Sequence, residues 1–201
     1  ERNIEIHSKL FDNISALHEV EKYSPAYQEN TCLDYPLTII SWNMERGRYS
    51  DRAAEILKTL KPDIILLSEM DIGMARSEQI NTIKDLALRM GGGYVFGAEF
   101  VELSLGDNSE QEENNGQINR HGIHGNGIIS KCPLLDVKLI RLEKTGRWYT
   151  EPWQGQLRIG GRLAIAARVK LDKAELVLVA IHVESHSTPA DRAENTRQML
   201  E

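Results

Sequence analysis

The sequence predicts an α/β fold with mixed sheets, and three observations carry that prediction. Leu37–Asn43 reads as a strand and the near-continuous apolar run Ile64–Ser68 as one buried on both faces, each followed by a segment of helical period. Beyond residue 125 the helices give way to strand pairs at hairpin spacing, which a fully parallel doubly wound sheet does not contain. The chain has 201 residues, 41% of them hydrophobic and 27% charged, enough for one domain with a true core.

The elements follow in order. Ile6, Leu10, Ile14 and Leu17 recur every three or four residues and predict a leading helix over about Ile4 to Val20. Lys22 to Pro36 is polar and aperiodic, a connector, so residues 1–36 read as a helix and linker ahead of a domain over 37–201. After the first strand, Ser50 is placed to cap a helix over Asp51 to Leu60 that Pro62 stops. Ser77 is placed to cap a second, whose face is Ile80, Ile83, Ala87 and Met90 and whose end is Gly91-Gly92-Gly93. A strand over Tyr94 to about Leu103 comes next.

Gly106 to Gly125 is acidic and dotted with glycine, and is expected to be poorly ordered. Ile128–Ser130 and Leu134–Leu142 read as a strand pair turning at Cys132-Pro133. Glu143 to Gly161, with Trp148 and Trp153, reads as a second irregular loop. Arg162–Leu171 and Leu176–His182 form a hairpin about Asp172-Lys173. Thr188-Pro189-Ala190-Asp191 opens a closing helix, with its N-cap, N1 proline and N3 acid in place.

Several function classes are excluded. The longest strongly apolar run, Leu176 to Ile181, falls far short of the roughly 20 residues of a bilayer span. A net charge of −6 argues against nucleic-acid binding through a broad basic face, so a phosphate ligand needs local charge or a metal. Cys32 and Cys132 form neither a disulfide framework nor a C-x-x-C pair, which favours a reducing, cytoplasmic compartment. Glu1 stands where a start Met would, compatible with a processed N-terminus.

Three polar residues end apolar strands: Asn43, Glu69 and His182. Strand carboxyl ends are where α/β folds bind ligands. A carboxylate with an amide oxygen suits Mg²⁺, and an imidazole nearby can contact phosphate or move a proton. Singly, each has a plainer reading as a turn former, a solvated acid or a structural histidine. His182-Val183-Glu184 matches the H-x-E of zinc deaminases, but no P-C-x-x-C follows. His182, Glu184 and His186 alternate as a zinc triad would, within a run that reads as loop. His121 and His124 are expected to be solvated. Trp148, Tyr149 and Trp153 are placed either to stack on bases or to cover the core.

Trp42-Asn43, the run Lys61-Pro62-Asp63 through Ser68-Glu69, Gly125-Asn126-Gly127 through Pro133-Leu134, and Val179-Ala180-Ile181-His182 resemble, in order and spacing, motifs of the endonuclease/exonuclease/phosphatase superfamily. The resemblance implies a layered αββα sandwich with mixed sheets, of which this chain holds the first half to two-thirds. It implies a phosphoesterase dependent on Mg²⁺ or Mn²⁺, most readily one that cleaves a phosphodiester, in nucleic acid or another substrate, by in-line attack of water. By the same resemblance Glu69 and Asn43 are the metal residues, His182 and Asn43 the catalytic ones, and Arg162 and Asn126 the binders of substrate phosphate. The family's later Gly-Asp-x-Asn and Asp-His motifs do not follow His182, and Gly106-Asp107-Asn108 does not replace them. A second chain or a further C-terminal segment is therefore expected to complete the fold, and the isolated segment is expected to turn over weakly or not at all. The competing reading is a non-catalytic module of the same fold that binds a phosphate ligand.

Overall fold

The computed structural model describes residues 2–27, 33, 35–142, 146–152, 154–184 and 187–200. Cys32, Trp153, Ser185 and His186 lie outside the described residues. Helix α1 (Arg2–Asn13) is followed by a 3-10 turn, Ser15–Leu17, and by strand β1 (Val20–Tyr23). The leading helix is thus shorter than expected, and part of the predicted connector is strand. β2 (Ile39–Asn43), α2 (Ser50–Leu60), β3 (Ile64–Ile72), α3 (Thr82–Met90) and β4 (Gly93–Glu102) form the alternating part. Then come α4 (Asn108–Glu113), β5 (Ile123–Ser130), β6 (Leu135–Arg141), α5 (Arg147–Thr150) and β7 (Arg158–Gly160). β8 (Leu163–Lys170), β9 (Glu175–Ile181) and α6 (Pro189–Leu200) close the chain, the hairpin and final helix lying where predicted.

The larger sheet has the order β1-β4-β5-β3-β2, with β7 also paired to β4, and within it only β2 and β3 run parallel. The smaller sheet, β6-β8-β9, is antiparallel. Strand periodicity builds the layers. Ile65, Leu67, Tyr94, Phe96 and Ile129 pack against Ala54, Leu57, Ile83 and Leu86 of the two helices. Ile64, Val95 and Ile128 point the other way and meet Leu163, Ile165, Leu178 and Ala180 of the smaller sheet. A strand buried on both faces has no polar side to spare, which is why these runs are continuously apolar. The layers are helix, mixed sheet and second sheet, as in the predicted sandwich. Gly127 permits the helix layer to sit this close, since a Cβ there would stand 2.1 Å from Ile83 Cδ1.

Four local expectations are corrected. Cys132-Pro133 does not turn a hairpin: β5 pairs with β3 and β4, β6 pairs with β8, and buried Cys132 marks the crossing between sheets. A short turn after a strand looks the same whether the next strand lies beside it or in the facing layer. The acidic segment after Gly106 is not irregular throughout. Asp107 and Glu110 make a reciprocal capping box that starts α4. The second expected loop likewise contains α5 and β7. Neither predicted serine caps its helix. Ser50 Oγ donates to Asp85, Ser77 Oγ donates to Asp71, and α3 is capped by Asn81, whose side chain accepts from Lys84 N.

Candidate active site

Two β-bulges place the central acids. The pairing of β3 with β5 shifts between Leu67 and Met70, and Glu69 sits inside that shift with φ +57°. The pairing of β4 with β5 shifts between Ala98 and Phe100, which brackets Glu99. A bulge re-aims a side chain without ending its strand. Glu69 therefore stands mid-strand, not at the strand end that the apolar run suggested.

Around Glu69 the predicted residues converge. Asn43 Nδ2 donates to Glu69 Oε1 at 3.0 Å, and Asn43 Oδ1 accepts from Glu45 N, so the amide is held at both ends. His182, just past β9, brings Nε2 to 3.7 Å from Glu69 Oε1. Arg162, just before β8, donates through Nη1 to His182 Nδ1 at 3.0 Å and to Glu99 Oε2 at 2.9 Å. Because a guanidinium has donors and no acceptor, His182 Nδ1 is the acceptor, and a neutral ring carries its hydrogen on Nε2, toward Glu69. Asn126 lies deeper. Its side chain is fully buried, Nδ2 donates to Glu99 Oε1 and to the Leu163 carbonyl, and Oδ1 has no partner among the described residues.

A cleft of about 720 Å³ opens over this cluster, with Arg46, Glu69, His124, Trp148, Arg162 and His182 among its walls. Trp148 sits edge-on to Phe100 and beneath the Arg162 guanidinium, whereas Tyr149 packs on the core.

Beneath the cleft is a sealed set of charges. Arg76 Nε and Nη2 grip both oxygens of Asp71, and Arg76 Nη1 donates to Glu110 Oε2 at 2.9 Å. His124 Nδ1 lies 2.6 Å from Asp71 Oδ1, and its ring stacks on Phe100. His124 is buried, which corrects the expectation of a solvated residue.

Charge and burial set the protonation of each group. Burial pushes the Glu69 carboxyl up, but the Asn43 hydrogen bond and the Arg46 guanidinium outweigh it and hold the group below its usual value. Burial pushes Asp71 up as well, and Arg76 with His124 pulls it down to about 2. Burial depresses His124 to about 3 against the pull of Asp71. Burial and neighbouring Arg162 lower His182 against Glu99, Glu69 and Glu184.

Arg46, Asp71, Glu99, Glu102, Glu110 and Arg158 also belong to this region, although the sequence pattern does not single them out. For two of them a signal was present. Glu99 interrupts the apolar strand Tyr94–Val101 and Glu102 directly follows it, and buried acids call for cations, which Arg162 and Arg158 provide. Arg46 had none beyond standing three residues after Asn43.

A family model described as the endonuclease/exonuclease/phosphatase family matches residues 40–198. The chain belongs to this family. Its matched span contains Asn43, Glu69, Asn126, Arg162 and His182. Among solved structures, the chain is similar to an endonuclease/exonuclease/phosphatase family protein from Leptotrichia buccalis. The two share 12% identity with a TM-score of 0.53, over 82% of this chain and 62% of that one. It is also similar to D. rerio TDP2 complexed with a single-strand DNA product, at 20% identity and TM-score 0.44, over 82% of this chain and 53% of that one. A humanized D. rerio TDP2 carrying 14 mutations gives 20% identity and a TM-score of 0.43 at the same coverages. The chain thus spans less than two thirds of the length of these structures. No curated protein matches it. Among the described residues, no helix is long and apolar enough to cross a membrane.

Proposed function

We propose that this chain carries the cation-holding and phosphate-binding part of a divalent-metal-dependent phosphodiester hydrolase, with nucleic acid as the favoured substrate class. The observation that supports this reading best is Glu69: a carboxylate open to a cleft, propped by Asn43, with His182 and Arg162 beside it.

The donor set limits the metal. Among the described residues no group of three or more His, Cys, Asp or Glu is arranged to hold an ion. One carboxylate fits a hard cation such as Mg²⁺ or Mn²⁺, which keeps most of its waters and takes further oxygens from substrate. When bound, such a cation would offset the negative charge that develops on the phosphoryl oxygens. Asn43 Nδ2 holds the carboxylate in place, while Asn43 Oδ1, which accepts one hydrogen bond from Glu45 N, keeps a second lone pair for the cation.

The remaining residues grip the phosphate. Arg162 is pinned by Glu99 and His182 and brings a fixed positive charge to the cleft wall. His182, neutral near pH 7 because its pKa is lowered, presents Nε2–H as a donor to a phosphate oxygen. Asn126 acts one layer down, holding Glu99 and through it Arg162. Activation of the attacking water is assigned to none of these residues.

Calorimetric titration of Mn²⁺ into the wild type and Glu69→Ala tests the reading, together with the affinity of each for a short oligonucleotide with Mn²⁺ present. Loss of the cation and of metal-dependent oligonucleotide binding together supports it. Oligonucleotide affinity that ignores both the metal and the substitution would instead favour an inert phosphate-binding module.

A further inference from the structure

Arg46 sits in the turn after β2 with φ +71°, and its guanidinium bridges two carboxylates. Nη1 lies 2.7 Å from Glu69 Oε2, and Nε lies 3.2 Å from Glu110 Oε1. The two partners are held very differently. Glu110 is buried on α4, and its second oxygen accepts from Arg76 Nη1 and from Asp107 N, both at 2.9 Å. Glu69 lines the cleft, and among the described residues its second oxygen receives the Asn43 amide and the more distant His182. Arg46 therefore has one anchored partner and one that can be exchanged.

We propose that Arg46 and the divalent cation compete for Glu69, so that cation binding releases Arg46 from Glu69 to swing on its Glu110 anchor toward the substrate phosphate. The inference rests on the reading of Glu69 as the cation-holding carboxylate. A guanidinium at 2.7 Å neutralises the single charge that would attract the metal and occupies lone-pair space on Oε2. A divalent ion beside an unmoved guanidinium would meet direct repulsion in a partly desolvated cleft. Once free of Glu69, Nη1 remains in the cleft that Arg162 also lines, and a bidentate fork suits a phosphate. The turn carrying Arg46 and the acidic segment carrying Glu110 would then form one device, in which α4 supplies the pivot.

The test compares Mn²⁺ affinity by calorimetry in the wild type, Arg46→Met and Glu69→Gln, with a thermal melt of each to confirm folding. Competition predicts that Arg46→Met binds Mn²⁺ roughly 2- to 5-fold more tightly, the size expected for removing a partly exposed ion pair. Glu69→Gln should bind none. Should Arg46→Met fail to fold, the wild type still reports through the Arg46 Nε–H NMR signal. That signal should shift as Mg²⁺ is added and stay fixed in Glu69→Gln. Unchanged or weaker Mn²⁺ binding in Arg46→Met, or a stationary Arg46 signal while Glu69-dependent binding saturates, overturns the competition and leaves the cation site standing. If neither the wild type nor Arg46→Met binds Mn²⁺ through Glu69, the cation site itself fails and the competition with it.

Discussion

Glu69 and Asp71 stand two residues apart on one strand, and hydrogen bonds and a neighbouring arginine hold both carboxyls below their usual pKa against burial, yet their surroundings differ. Asp71 is sealed. Its side chain is 0% exposed, both oxygens are held by Arg76, and His124 and Ser77 complete the set. Glu69 keeps 16% of its side chain exposed and shares a cleft wall with its partners. A buried charge with every lone pair committed fixes structure, whereas a charge with one exchangeable partner can take a ligand. The strand thus separates a structural acid from a functional one.

That contrast can be broken most severely at Arg76. Arg76→Met strands the Asp71 charge in the interior and should lower unfolding free energy by about 3–5 kcal/mol, read by urea denaturation. Acid attacks the same set. An unfolded histidine takes its proton near 6.5, but folded His124 stays neutral down to about 3, so the unfolded chain binds more protons between those limits. Stability should therefore fall as pH drops through that window, with Asp71 adding to the loss between 3.8 and about 2. His124→Gln should flatten the upper part of the slope in melts taken across pH, an effect on the order of a few kcal/mol at the acid end.

The functional acid should respond far more mildly. Asn43→Ala removes one hydrogen bond at a partly open site, at a stability cost of about 1 kcal/mol, and should raise the Glu69 pKa in an NMR titration. Glu69→Gln should change stability by less than about 1 kcal/mol while abolishing Mn²⁺ binding. A Glu69→Gln variant as unstable as Arg76→Met would erase the distinction.

Most of the fold was legible where burial is local. Ile64–Leu67 and Leu176–Ile181 declared themselves as strands, Gly91 ended α3, and Thr188 with Asp191 opened α6. Pairing was harder to read, because Cys132-Pro133 looks alike as a hairpin turn and as a passage between sheets. Of the candidate site, Asn43, Glu69 and His182 were readable as polar residues after apolar runs, and the structure brings them together. Arg46 and Glu110 were not, because Arg46 meets Glu69 and Glu110 across 23 and 64 positions, and Arg76, five positions after Asp71, meets Glu110 across 34. No local pattern encodes such distances.

The bulge at Glu69 also sets what this strand can tolerate in evolution. Ile65, Leu67, Met70 and Ile72 all reach the helix layer only because one surplus position falls between Leu67 and Met70. Straightening the bulge at constant length would turn Met70 and Ile72 toward the opposite layer and swing Asp71 into their place, whereas losing the surplus residue would leave them facing the helices and remove only the re-aimed position. The packing of this strand would survive the loss of its surplus residue, but the acid that the bulge aims into the cleft would not.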